Sequence, residues 1–236
     1  QLAELAERDR GGCGLTILNK GVLRKENKLT KIFLHGSGHQ AASWRETIAQ
    51  MPEGAEILRP NLAALLEGKT ARFDNLCAAF AEYCAQAREP LDLCGLSLGG
   101  IVALAYALDH PQKVRSLVLI GTPHKVPKAA FALQNLVFRF LPEAAFRAMA
   151  FDKADTFALG NSMRALDFSA RAHEIGCPTL ILCGEKDRAN LASARFFAAH
   201  IPQAEFEVIP GVGHIVNEEA PAQLARILTN FYAALD

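Results

Sequence analysis

Gly95-Leu96-Ser97-Leu98-Gly99 follows the short apolar run Leu91-Asp92-Leu93-Cys94 and opens onto Gly100-Ile101-Val102-Ala103-Leu104-Ala105-Tyr106-Ala107-Leu108. The first run has the length of a buried strand, and the second reads as an apolar helix. A serine at the sharp turn between them presents its hydroxyl above the edge of a sheet. Glycines two positions before and two after it are required, because a Cβ there would meet the crossing backbone.

The same alternation of strand and helix continues on both sides of this turn. Leu15–Asn19 and Gly21–Arg24, followed by Leu29–Leu34, read as an opening antiparallel segment, with Lys25-Glu26-Asn27-Lys28 as its polar turn. Glu56–Leu58, Leu91–Leu96, Val114–Ile120, Pro178–Cys183 and Ala204–Ile209 read as further strands. Helices are expected over Trp44–Met51, Phe73–Ala87, Leu191–His200 and Pro221–Leu235. Short apolar strands separated by helical crossovers imply a mostly parallel sheet covered on both faces. The interval Gly121–Pro178 is too long for an ordinary crossover, which needs little more than about 10–12 residues. It carries three apolar helical stretches, Lys128–Leu141, Glu143–Phe151 and Asp155–Leu166, and seven of the fourteen Phe residues fall between Phe131 and Phe168. A helical insertion of about residues 122–170 sits over the strand ends where Ser97 emerges.

Composition narrows the classes. A chain of 236 residues is expected to form one domain over 1–236 with a sizeable core. Lys plus Arg and Asp plus Glu balance at 25 each, with no block of like charge, which argues against nucleic-acid partners and a polybasic membrane anchor. No apolar run reaches the length of a membrane span, and Gln1–Arg10 lacks the apolar core of a secretory signal. The six cysteines do not form a disulfide framework: Cys94 and Cys183 lie in strands, and Cys77 and Cys84 on a helix. A reducing cytoplasm is the expected compartment.

A serine nucleophile needs a base, an acid to orient that base, and donors for the developing oxyanion. The base is read as His214, in the glycine-flanked loop Gly211-Val212-Gly213-His214, ahead of a helix that Asn217 is expected to cap. The acid is read as Asp187, just beyond a strand end in Gly184-Glu185-Lys186-Asp187, with Glu185 as its competitor. The oxyanion donors are the backbone N–H groups of Leu98 and of Ser37, the latter in Leu34-His35-Gly36-Ser37-Gly38. His35 follows its strand too closely to be the base and is expected to shape this loop. His39 is placed at the pocket mouth and His124 at the pocket border, where the insertion begins; His110 caps a helix end, and His173 and His200 lie on the surface. Phe131 and Phe138 are candidate substrate contacts, although Phe131, Leu133, Val137 and Phe140 at helical spacing also read as core of the insertion. The histidines lack zinc-ligand spacing, so neither metal nor other cofactor is expected.

His35-Gly36-Ser37-Gly38, Gly95-Leu96-Ser97-Leu98-Gly99-Gly100, Gly184-Glu185-Lys186-Asp187 and Gly211-Val212-Gly213-His214 together resemble the α/β-hydrolase superfamily, in its chain order and spacing from about Leu15 onward. The resemblance implies an eight-stranded, mostly parallel sheet with helices on both faces. It also implies a Ser97/His214/Asp187 triad and a helical lid inserted after the sixth strand. Within the superfamily the chain resembles small uncharacterised cytoplasmic bacterial hydrolases. The chain departs from many relatives at Pro60-Asn61-Leu62-Ala63-Ala64, where an Asp-x-x-Gly turn is common, and its lid is shorter. Serine at the nucleophile position disfavours dehalogenase or epoxide-hydrolase chemistry.

The expected activity is cofactor-free hydrolysis of a carboxylic ester or thioester, with an apolar acyl or aryl group suggested by the Phe-rich insertion. Two other readings remain open at this point: an acyltransferase or perhydrolase using the same acyl-enzyme, and a ligand-binding protein on the same fold. The insertion is equally a candidate homodimer contact.

Overall fold

The computed structural model describes residues 29–53, 56–126, 139–146 and 149–236. In chain order they form β1 (Thr30–Leu34), a 3-10 turn (Ala41–Trp44), α1 (Arg45–Ala49), β2 (Glu56–Leu58), α2 (Leu62–Leu65), α3 (Phe73–Cys84), β3 (Leu91–Leu96), α4 (Leu98–Asp109) and β4 (Val114–Ile120). After β4 come α5 (Glu143–Phe146), α6 (Lys153–Met163), β5 (Thr179–Gly184), α7 (Arg188–His200), β6 (Ala204–Ile209), α8 (Val216–Glu219) and α9 (Pro221–Ala233).

The described strands make one sheet in the order β2-β1-β3-β4-β5-β6, and every neighbouring pair is parallel. Among the described residues the sheet has six strands, where eight were expected. Leu15–Asn19 and Gly21–Arg24 lie outside the described residues. Leu29–Leu34, read as part of an antiparallel opening, is instead a central parallel strand between β2 and β3. Its burial explains the placement. All five residues of β1 are buried, and a strand apolar on both faces needs helices above and below it, which parallel crossovers supply.

The two faces divide the strand residues by parity. Ile32, Leu34, Leu91, Leu93, Leu117, Leu119, Ile181 and Cys183 point to one side, packed with α2, α3, α4 and α7. Phe33, Cys94, Leu96, Val118, Ile120, Leu180 and Leu182 point to the other, against Trp44 and the α9 residues Leu224, Ile227, Leu228, Phe231 and Tyr232. Phe33 and Trp44 stack with centroids 5.2 Å apart. α4 is buried at nearly every position because it lies between the sheet and α3. At the β6 edge, Glu205 and Glu207 are exposed, and such charges discourage further strand pairing.

At the amino end of the sheet, Asp92 is fully buried and saturated with donors. Arg115 Nε and Nη2 reach its two oxygens at 2.9 and 2.7 Å, Ser116 Oγ donates at 2.6 Å and Lys31 Nζ at 3.0 Å. Burial opposes its ionisation, yet the hydrogen bonds from Arg115 and Ser116 and the charge of Lys31 outweigh it and hold the pKa below the usual carboxylate value. This network fixes the end of the sheet opposite Ser97.

The ends of the insertion after β4 are tied together by an antiparallel bridge between Lys125 and Asp167, and by Val126 N–H donating to Leu166 O at 3.2 Å. α6 docks on α3, where Phe73 N–H donates to Ser162 Oγ at 2.9 Å. Phe131, Phe138 and most of Lys128–Leu141 lie outside the described residues. Among the described residues no helix is long and apolar enough to cross a membrane.

Candidate active site

Ser97 has φ 53° and ψ −114°, and it alone among the described non-glycine residues has positive φ. Such a conformation costs about 1–3 kcal/mol and persists only where the surroundings enforce it. Here Ser97 N–H donates to Ile120 O at 2.9 Å, and Ser97 O accepts from Ile101 N–H at 3.0 Å. Close packing adds to the constraint. A Cβ on Gly95 would lie 2.4 Å from the backbone of Gly99 and Gly100, and one on Gly99 would lie 2.3 Å from Leu34 O. The elbow is wedged between β1 and α4, with its hydroxyl-bearing residue at the carboxyl edge of the sheet.

Asp187 and His214 meet beside it. Their Oδ2 and Nδ1 atoms are 2.7 Å apart, with the carboxylate side chain 4% exposed and the imidazole 39%. Asn190 Nδ2 donates to both Asp187 oxygens at 3.0 Å, and Asn190 N–H to Oδ1 at 3.3 Å. Burial raises the cost of ionising Asp187, but the hydrogen bonds from His214 and Asn190 prevail and hold its pKa below the usual value. An ionised Asp187 accepts the Nδ1 proton of His214, which leaves Nε2 with its lone pair. Gly121, at the end of β4 with φ +52°, lies under this pair; a Cβ there would be 3.0 Å from both Asp187 Oδ2 and His214 Nδ1.

Glu185, the competing acid, is directed elsewhere: its Oε2 accepts from Gly211 N–H at 2.8 Å. Asn217 does not cap a helix. It lies inside α8, buried, with Nδ2 donating to Ser43 O at 3.0 Å, and Ile215 occupies the capping position. Glu219 organises the loop instead, accepting from Gly213 N–H at 2.7 Å and Ile215 N–H at 3.1 Å on either side of His214.

His35 is buried and bonded at both nitrogens. Nδ1 donates to Gly36 O at 2.8 Å, and Nε2 accepts from Leu62 N–H at 3.0 Å, in the segment where the chain departs from an Asp-x-x-Gly turn. Burial lowers its pKa, the Gly36 carbonyl opposes this, and the nearby His39 adds to the lowering. Gly36 O also accepts from His39 N–H at 3.1 Å. With that carbonyl held by two donors, the planar trans peptide turns the Ser37 N–H the opposite way.

A cavity of about 420 Å3 joins these groups. Ser97, His214, Ser37, His39, Leu98 and Asn190 border it, and its apolar wall includes Ile101, Val126, Phe151, Leu159 and Met163. Leu98 is the first residue of α4, so its N–H has no acceptor within the helix. His124, expected at the pocket border, is not among the lining residues. Its Nδ1 lies 2.8 Å from Ser193 Oγ and its ring stacks on Phe196 at 4.3 Å, anchoring the base of the insertion to α7. Phe131 and Phe138 lie outside the described residues. Asn190, Gly121 and Glu219 went unread in the sequence. Only Asn190 had a local signal, since Asp187 caps α7 and brings the third helical residue within reach. Among the described residues no group of three His, Cys, Asp or Glu is placed to hold a metal.

Comparison with known proteins follows the same lines. Over 259 residues the chain is 22% identical to the monoacylglycerol lipase abhd6-A of Xenopus laevis, covering 89% of this chain and 77% of that one. Over 96 residues it is 36% identical to the pimeloyl-[acyl-carrier protein] methyl ester esterase of Aromatoleum aromaticum, covering 41% and 38%. A solved structure of a thermophilic esterase from Thermogutta terrifontis superposes with a TM-score of 0.72 at 19% identity over 88% of this chain and 90% of the other, a likeness of fold. The alpha/beta hydrolase family profile matches residues 32–227, most of the sequence, and the chain belongs to that family.

Proposed function

We propose that this chain is a serine hydrolase that cleaves carboxylic esters or thioesters through an acyl-enzyme on Ser97. The 2.7 Å contact between His214 and a buried Asp187, beside a serine held at positive φ and open to the same cavity, carries this reading. Ser97 Oγ attacks the acyl carbon as His214 Nε2 takes its proton, and ionised Asp187 stabilises the imidazolium. The N–H groups of Leu98 and Ser37 hold the oxyanion; loss of one such donor typically costs about 3–4 kcal/mol of transition-state stabilisation. Collapse of the tetrahedral intermediate breaks the bond to the alcohol or thiol, which receives the proton from His214. Water, deprotonated by the same imidazole, then releases the acid.

The wall formed by Ile101, Val126, Phe151, Leu159 and Met163 suits an aliphatic or aryl acyl group. The relatives named as a monoacylglycerol lipase and a methyl ester esterase support ester chemistry. The insertion carrying α5 and α6 acts as the lid. Labelling with a fluorophosphonate tests the reading: the protein is modified, and Ser97→Ala is not. Equal labelling of that variant rejects Ser97 as the nucleophile.

A further inference from the structure

Asn190, in the first turn of α7, touches both the acid and the base. Its Nδ2 lies 3.0 Å from each oxygen of Asp187 and 3.3 Å from His214 Nδ1. Charge settles the direction of the amide: an ionised carboxylate only accepts, so Nδ2 and not Oδ1 must face it. Asn190 also borders the cavity, whereas Asp187 is not among the described residues that line it. The amide thus belongs to the cover over a carboxylate whose side chain is 4% exposed.

Helix capping does not call for this side chain. Asp187 caps α7, and its Oδ1 accepts the backbone N–H of residue 190 at 3.3 Å whatever side chain that position carries. Asparagine is also a weaker helix former than Leu or Gln, so the stability of α7 does not explain it. Capping alone gives Oδ1 one long bond, which leaves the carboxylate room to swing away from His214. The side-chain amide limits that freedom. A carboxylate that swings from His214 must also leave Nδ2, which sits against the imidazole.

Resting on the serine-hydrolase reading above, we propose that Asn190 is a positioning residue whose side-chain amide holds Asp187 against His214 and keeps cavity water from the pair. Freedom of a few tenths of an ångström in the carboxylate costs about four- to tenfold in kcat.

The test removes the donor and then returns it. Asn190→Leu, of similar size, lowers kcat on p-nitrophenyl butyrate by about four- to tenfold and leaves KM unchanged. Asn190→Gln recovers part of the loss, since glutamine at the third helical position reaches back to the capping residue. Proton NMR of the resting enzyme reads the pair without turnover. The low-field resonance of the His214 Nδ1 proton, assigned by labelling the histidines with nitrogen-15, broadens in Asn190→Leu as water reaches it. Unchanged kcat in Asn190→Leu overturns the proposal, and so does a raised KM with kcat intact, which marks a substrate contact instead. A resonance that Asn190→Leu leaves as it was, or no recovery in Asn190→Gln, overturns it as well. Failure of the hydrolase reading is seen separately, as hydrolysis that survives Ser97→Ala, because the Nδ1 signal does not depend on the nucleophile.

Discussion

Alanine at Gly121, set against alanine at Gly211, separates backbone strain from damage to the acid–base pair. Both glycines lie in the left-handed region, at φ +52° and +73°, where an L side chain costs about 1–2 kcal/mol. At Gly211 a Cβ meets nothing within 4 Å. At Gly121 it would stand 3.0 Å from Asp187 Oδ2 and His214 Nδ1 and 3.1 Å from His214 Cε1. The backbone at Gly121 has little room to retreat, because its N–H donates to Leu182 O at 2.9 Å. The 2.7 Å pair must therefore move by a few tenths of an ångström. Misplacement of a catalytic group by about 1 Å costs about 100-fold, so a shift of a few tenths of an ångström costs about four- to tenfold in kcat. Urea denaturation and kcat on p-nitrophenyl butyrate, measured for both variants, give the comparison. Both lose about 1–2 kcal/mol of stability, and only Gly121→Ala loses kcat. Full kcat in Gly121→Ala, or an equal loss in Gly211→Ala, refutes the reasoning.

Three further outcomes are expected. Asp92→Ala leaves Lys31 without its buried partner and Arg115 with only the exposed Asp236 at the amino end of the sheet, and lowers stability by about 3–5 kcal/mol in urea, with kcat of the folded protein unchanged. His35 has a lowered pKa in the folded state, so the unfolded chain takes up the proton first as pH falls below about 6.5, and stability drops there; His35→Gln shows a smaller fall in Tm between pH 7.5 and 5.5 than the parent. Met163→Ala enlarges the apolar wall and moves the best p-nitrophenyl ester toward a longer acyl chain, at about 0.8 kcal/mol for each methylene newly buried. Rates across chain lengths check this, and an unmoved optimum counts against Met163 as an acyl contact.

The strands β3, β4 and β5 were legible because each is a mostly apolar run buried on both faces, and the elbow because strand, glycines and helix are adjacent in the chain. Where the reading depended on direction in space it stopped short. Glu185 and Asp187 are two positions apart in one loop, and only the fold sends one to Gly211 N–H and the other to His214. Leu29–Leu34 carried its burial in its composition but not its partners, so its parallel pairing with β2 and β3 was missed. His124 stood where a pocket residue would, yet the ring of Phe196 and the hydroxyl of Ser193 hold it on α7. Gly121 has no local signature: its need to be glycine comes from two side chains far along the sequence. Asn217 and Glu219 exchange roles for a similar reason, since the buried carbonyl of Ser43 takes the amide of Asn217 and leaves the loop N–H groups to Glu219.

Site-mapped mass spectrometry during the first turnovers of p-nitrophenyl butyrate reaches the nucleophile directly. A butyryl adduct on the peptide containing Ser97, absent in Ser97→Ala and accumulating when His214 is replaced by alanine only as slowly as the residual rate allows, is the expected result. Turnover with no adduct, or an adduct on any other residue that persists in Ser97→Ala, contradicts an acyl-enzyme at this elbow.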